Sequence, residues 1–521
     1  MKVLTNGHFI SCEDTNHCFS VMVIDKDKIL FTGDRIPESY ADCPSIDMHG
    51  FTIVPAFSDT HMHFESYALF KTTVDVRNAK DFEDMGQMLR DWTDTHPKAA
   101  FLPAYGCSAH TVSEKRLPEM ADLDAMTDIP LLIVKYDGHA AVANSALIDL
   151  FPDAVLSDPG FDAETGWLYQ NAFYKGVNFI TGKVSPITLL EGMHQAAQDL
   201  AQMGIGYIHT VEGVGYQNDI DIDTINIIRR GLPQKFTVFF QTMDVDKVVK
   251  RKMGHIGGCF SLALDGCFGS EDAALSNGYA NNPENKGFLA YTQEEVNSFC
   301  IRANRAGLQI TMHAIGDAAV SQALNAYEAA YKDFPHEDAR HILIHGDLMN
   351  DAAIHKAKEL GITIAVQPAF LDWPQEPADY LESILGSQAN DILPLRDMVD
   401  GGLLITSGSD APCTLPNPIE GIHICCNHPN PQQALTPLEA LKTYTLWPAR
   451  SAFDDDLYGS LTPGKKANFL VLDKDILSIP KDEIITTKIK GVFLNGRRFR
   501  PSEKFSLPEL ARKIFINRKE A

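Results

Sequence analysis

The sequence has no apolar stretch of about 18 uninterrupted residues, the length needed to cross a bilayer as a helix. Its opening segment, MKVLTNGHFISCEDTNHC, lacks the apolar core and small-residue cleavage site of a secretory leader. No basic stripe offsets a formal net charge of -24, so nucleic acid and anionic membrane surfaces are poor partners. No GxGxxG or GxxxxGK[ST] opens a helix, and Gly204, Gly206 and the glycines of DGCFGS are turn residues, not a phosphate cradle. The ten cysteines are scattered, and the adjacent pair Cys425 and Cys426 has neither zinc-knuckle nor redox spacing. Reduced, buried thiols and a cytoplasmic location are the expectation.

What is present is ordinary globular composition, 45% hydrophobic and 22% charged over 521 residues. That length favours one large unit with a smaller companion. The first fifty residues alternate short β-like runs with turns, and GSLTPGKKANFLVLDKD and KIKGVFLNGRRF near the other end have the same texture. Between them, runs such as LQITMH, RHILIH and ITIAV alternate with helix-like segments. Repeated β then α implies a parallel sheet covered by helices, and without a nucleotide-binding motif the closed barrel is favoured over the open sheet. The fold expected is therefore α/β: a (β/α)₈ barrel over 54–450, with a small β-sandwich built from 1–53 and 451–521. The last segment adds an amphipathic surface helix after Pro501.

Chemistry concentrates at strand ends. His61 and His63 close the run FTIVPAFSDTHMHF; residues i and i+2 of a strand share a face about 7 Å apart, so two imidazoles there can converge on one ion. LQITMHAIGD ends in His313, RHILIHGD in His345 and LLITSGSDAP in Asp410. In a (β/α)₈ barrel the C-terminal strand ends face one site, so these distant residues can meet there. Each alone is equally a core histidine or a turn-capping aspartate. Together they point to a divalent ion; zinc suits the donors, and iron or manganese also fit.

The stretches VPAFSDTHMHF, YDGHAAVANSAL, LDGCFGSEDAAL, TMHAIGDAAVSQAL, RHILIHGD, TSGSDAPCTLPNPIEGI and QALTPLEALKTYTLWPAR resemble the amidohydrolase superfamily, in particular its type-3 branch, which contains the N-substituted formamide deformylases. The resemblance implies that His61 and His63 come from the first barrel strand, His313 from the fifth, His345 from the sixth and Asp410 from the eighth. It implies that His139, in KYDGH, lies near the substrate. Many similar enzymes carry a carboxylated lysine that bridges two metals; the alignment puts Ser261 there, and serine cannot form a carbamate. One ion held by His61, His63, His313 and Asp410 is then expected, with Asp410 as general base, His345 against the water and His139 on a substrate oxygen. Glu212 or Asp265 is the alternative bridging carboxylate.

The expected reaction is hydrolysis of a non-peptide carbon–nitrogen bond of a small molecule. Deamination, ester or lactone hydrolysis and decarboxylation use the same kind of site, and a silent metal-binding regulator is the remaining alternative. Trp167, Tyr169, Phe173 and Trp373 hint at an apolar or aromatic substituent on the substrate. A homodimer is a common assembly for such chains.

Overall fold

A computed structural model of the chain describes residues 1–213, 219–336, 338–502 and 504–517, without the side chains of residues 260 and 261. Its centre is an eight-stranded parallel sheet: β1 (Phe57–Met62), β2 (Ile205–Glu212), β3 (Lys235–Phe240), β4 (His255–Ala263), β5 (Gln309–Ala314), β6 (Ile342–His345), β7 (Thr363–Val366) and β8 (Leu404–Ser407). Neighbours follow chain order from β1 to β8, and the ring closes at its C-terminal rim through a parallel bridge between Met62 and Ala411. The result is the nearly closed, TIM-like barrel expected from the sequence.

Period-two alternation decides what lies inside. Val211, Phe239, Cys259, Ile342, Ile344 and Ala365, from five different strands, pack as one buried cluster. Branched and aromatic side chains fill such a layer, so the barrel is a core rather than a pore. Helices cover the outside and begin at clear start signals. Thr292 and Glu295 form a capping box at Gln293–Arg305, Ser185 caps Pro186–Gln202, and Asn350 caps Asp351–Glu359.

The chain ends come together as their common texture implies. Thr52–Pro55 pairs antiparallel with Phe469–Leu472 inside a six-stranded sheet, and Lys2–Thr5 lies in a four-stranded one. Leu4, Met22 and Ile24 of the smaller sheet share a core with Phe9, Ile53 and Phe469 of the larger. The other face of the larger sheet is not free: Leu470 and Leu472 belong to the same buried cluster as Ile205 and Ile208 of β2. The terminal sheets are thus packed onto the barrel, and a separate β-sandwich domain is not distinguished. The terminal helix, Leu507–Asn517, buries Leu510 against Gly231.

One element has no counterpart in the reading of the sequence. Between β1 and β2 the chain builds a five-stranded mixed sheet, Val74–Asp75, Leu102–Cys107, Leu131–Lys135, Ala140–Ala143 and Trp167–Tyr169. Its first three strands are parallel and its last two antiparallel. The turn after Leu131–Lys135 carries His139 to the cavity at the barrel mouth.

Candidate metal centre

The rim that closes the barrel is also where the polar side chains gather. Asp410 N–H donates to the His61 carbonyl at 2.7 Å, and His63 N–H donates to Ala411 at 2.9 Å. Asp59, buried in β1, accepts from Ser409 N–H at 3.0 Å and from His61 N–H at 3.3 Å, so one carboxylate ties both edges of the seam. Asp410 and His345 hold left-handed backbone, φ 56° and 71°. Non-glycine residues in that region are uncommon and concentrate at functional sites.

These constraints aim the side chains at one point. His61 Nε2 is 3.1 Å and His63 Nε2 3.3 Å from Asp410 Oδ1. The His313 and His345 rings lie 4.6 Å apart, and those of His61 and His345 5.6 Å. All four histidines and Asp410 are buried. Asp410 Oδ1, though so close to two imidazole nitrogens, accepts no hydrogen bond of normal geometry. Around a tetrahedral ion with bonds of about 2.0–2.1 Å, neighbouring donor atoms stand about 3.3 Å apart, which is the spacing seen here. The donor set fits a divalent ion.

Neighbours fix which imidazole nitrogen keeps its lone pair. Gln367 Nε2 donates to the Ala365 carbonyl at 2.9 Å, which turns Oε1 toward His345 Nδ1 at 2.6 Å. Nδ1–H therefore donates to Gln367, and Nε2 is left as the donor atom for an ion. His313 Nε2 lies 3.1 Å from the Gly266 carbonyl, which leaves Nδ1 to face the cluster. Burial pushes His61 below the ordinary histidine range against the pull of Asp410, and burial together with His313 drives His345 well below it. Burial opposes ionisation of Asp410, but the surrounding histidines, His61 foremost, outweigh it and hold the carboxyl far below the usual range. His61 and His345 are thus held neutral beside an ionised carboxylate, the forms that bind an ion, while Asp265 raises His313 against the effect of its burial.

The cluster contains a donor that the sequence argument missed. Cys259 Sγ is 3.2 Å from His61 Nε2 and groups with His61 and His63 on one side and with His313 and His345 on the other. Strand β4 explains the miss: its pairing with β5 runs regularly to Gly258 and then jumps to Ala263, so counting along it does not locate the inward position. Ser261 falls inside that irregular stretch, and its side chain lies outside the described residues. Neither proposed carboxylate stands in for the bridge. Glu212 accepts from Thr210 and Glu65 N–H and groups with Glu65 and Asp221, while burial pushes it up to about 8. Asp265 accepts from Ala274, Ile315 and Gly316 N–H and thus clamps the end of β5 beneath His313.

Above the cluster is a cavity of about 200 Å³. His139 lines it, with its ring 6.5 Å from that of His313. Asp347, two residues after His345, also lines it, and burial pushes its carboxyl up to about 8. The remaining wall is mostly apolar, with Asp137, Glu212, Gln241 and Glu376 among its polar members. The rings of His345 and Phe370 stack at 5.8 Å, and those of Phe370 and Trp373 at 5.0 Å. Phe173 joins this wall with Trp373, as the sequence hinted. Trp167 and Tyr169 do not: Trp167 packs in the core of the inserted sheet and donates to the Pro118 carbonyl, and Tyr169 is exposed.

Comparison with known proteins accords with this geometry. An N-substituted formamide deformylase of Arthrobacter pascens is 23% identical over 95% of this chain and 97% of its own. The Arabidopsis thaliana protein LONG AFTER FAR-RED 3 is 22% identical over 96% of this chain and 91% of its own. The crystal structure of an uncharacterized metal-dependent hydrolase from Pyrococcus furiosus shares the fold, with a TM-score of 0.73 at 24% identity over 92% of this chain and 100% of that one. The sequence model of the amidohydrolase family matches residues 45–499, which include the whole barrel and the strands that follow it, and the chain belongs to that family.

Proposed function

We propose that the protein hydrolyses a non-peptide amide bond of a small molecule that bears a flat apolar substituent, using a divalent ion, zinc by preference, at the His61, His63, His313 and Asp410 cluster. The observation that carries this reading is the convergence of Asp410 Oδ1 with the two β1 imidazoles beneath an apolar, aromatic-walled cavity. When bound, the ion supplies Lewis acidity and brings the pKa of water from 15.7 towards about 7.

Asp410 is the proton carrier in this scheme. Its carboxylate is held ionised, accepts the proton of the attacking water and returns it to the leaving nitrogen. His345 is fixed by Gln367 so that its second nitrogen is left for the donor cluster around Asp410. His139 approaches from the inserted sheet and donates to the substrate oxygen as negative charge develops there. The Phe370 and Trp373 stack receives the substituent and excludes water. Relationship to a formamide deformylase supports cleavage at the carbon–nitrogen bond.

The reading is tested by incubating the zinc-loaded protein with a panel of N-aryl and N-benzyl formamides and acetamides, cyclic lactams, lactones and aminated heterocycles, and resolving the products. Equal amounts of amine and carboxylic acid from the amides support it. Ammonia without an accompanying acid makes the protein a deaminase, and turnover of lactones alone makes it an esterase-like relative.

A further inference from the structure

We propose that Cys259 is a metal ligand shared by two divalent ions, one held with His61 and His63 and the other with His313 and His345. The proposal rests on the metal-dependent reading above and extends it to the number of ions and their bridge.

Among the described residues the thiol is common to both histidine pairs: the donor atoms of His61, His63 and Cys259 lie within 4.8 Å of one another, and so do those of Cys259, His313 and His345. Asp410 Oδ1, buried and without a normal hydrogen bond, is aimed into the same space and groups with His61 and His345. Six donors around one point exceed the four that a single tetrahedral ion takes. Two ions side by side need a shared anion between them, and among these six donors only a thiolate at Cys259 and the Asp410 carboxylate carry negative charge.

The backbone is shaped to present this sulfur. A Cβ on Gly257 would meet the Thr311 carbonyl oxygen at 1.9 Å, and one on Gly258 would meet the Gln241 side chain at 2.5 Å. The strand therefore lies tight against both neighbours just before Cys259. Gln241 Oε1 accepts from Cys259 N–H at 2.9 Å, while its amide donates to the Val211 carbonyl at 3.2 Å, which fixes the residue from which the thiol projects. Binding replaces the S–H bond by sulfur–metal bonds and releases the proton to solvent. A soft thiolate beside imidazoles favours zinc, cobalt or iron over magnesium, calcium or manganese.

The test is metal analysis of the full-length protein, reconstituted with zinc and separately with cobalt(II), for the wild type and the Cys259→Ser and Cys259→Ala variants. Circular dichroism confirms that each is folded. Expected are about two ions per wild-type chain, a sulfur-to-cobalt charge-transfer absorption in the near ultraviolet, and loss of that band with at least one ion in both variants. One ion and no sulfur band in the folded wild type would overturn the shared thiolate while leaving a hydrolytic ion in place. A band and stoichiometry unchanged by Cys259→Ala would also overturn it. No bound ion in the folded wild type would overturn both this proposal and the hydrolytic reading beneath it.

Discussion

Asp410 closes the barrel with its backbone and faces His61 with its side chain: its N–H donates to the His61 carbonyl at 2.7 Å while its Oδ1 stands 3.1 Å from His61 Nε2. The hydrogen bond that joins the last strand to the first therefore also sets the distance between proton carrier and ligand. Asp410→Asn keeps that backbone bond and removes the charge. Turnover is expected to fall about 10²- to 10⁴-fold, the usual worth of a general base. Thermal stability should change little, which a melting curve beside the activity assay will show.

Gln367 acts on the metal through His345. Gln367→Leu removes the acceptor of the 2.6 Å bond and frees the imidazole to rotate or change tautomer. Loss of such an outer partner typically costs 10- to 100-fold in metal affinity, roughly. Competition with a fluorescent zinc chelator measures this directly, and an unchanged affinity would remove Gln367 from the site.

His139 belongs to none of the donor groups of the cluster, so His139→Ala should leave metal content unchanged. Loss of a donor to the developing oxyanion is expected to lower kcat by about 100-fold or more. A rise in KM alone would make His139 a binding residue without a role in the transition state.

The aromatic wall should show in substrate preference. Trp373→Ala removes the outer ring of the Phe370 stack, and KM for aryl-substituted amides is expected to rise roughly tenfold, equivalent to about 1.4 kcal/mol. Small aliphatic amides should be nearly indifferent to the change. Equal losses for both classes would place the substituent elsewhere.

Acid should destabilise the protein through histidines outside the donor cluster. His209, inside β2 and 2% exposed, is pushed down to about 3 by burial, and burial also takes His341 to about 3 and His255 to about 4. Unfolded histidine titrates near 6.5, so below that pH the unfolded chain binds protons that the folded chain refuses. Stability is complete above about pH 6.5 and falls as pH drops towards 3, by about 1.4 kcal/mol per pH unit for each such histidine. Denaturant midpoints between pH 7 and 4.5 should fall steeply in the wild type and less steeply in His209→Leu.

Much of this was legible in the sequence because a barrel writes its site in a local grammar. His61, His313, His345 and Asp410 each end an apolar run just before a turn, and only a closed parallel sheet brings such endings together. Cys259 was not legible, because it lies in the irregular stretch of β4 where alternation no longer reports which side chain points inward. The inserted sheet was hidden for a related reason: its strands look like barrel strands in sequence, and only their pairing with one another separates them. Trp167 and Trp373 were indistinguishable as loop aromatics, since packing alone puts one in the core of the insert and the other against the cavity.

The central claim is that an ion at the His61, His63, His313 and Asp410 cluster is required for hydrolysis. Stripping the protein with a chelator and restoring zinc in measured steps, while following cleavage of the best amide from the panel, tests it most directly. Activity should vanish on stripping and return in proportion to bound zinc, and the zinc-loaded Asp410→Asn variant should stay inactive. Full turnover by metal-free protein, or by zinc-loaded Asp410→Asn, would contradict the account.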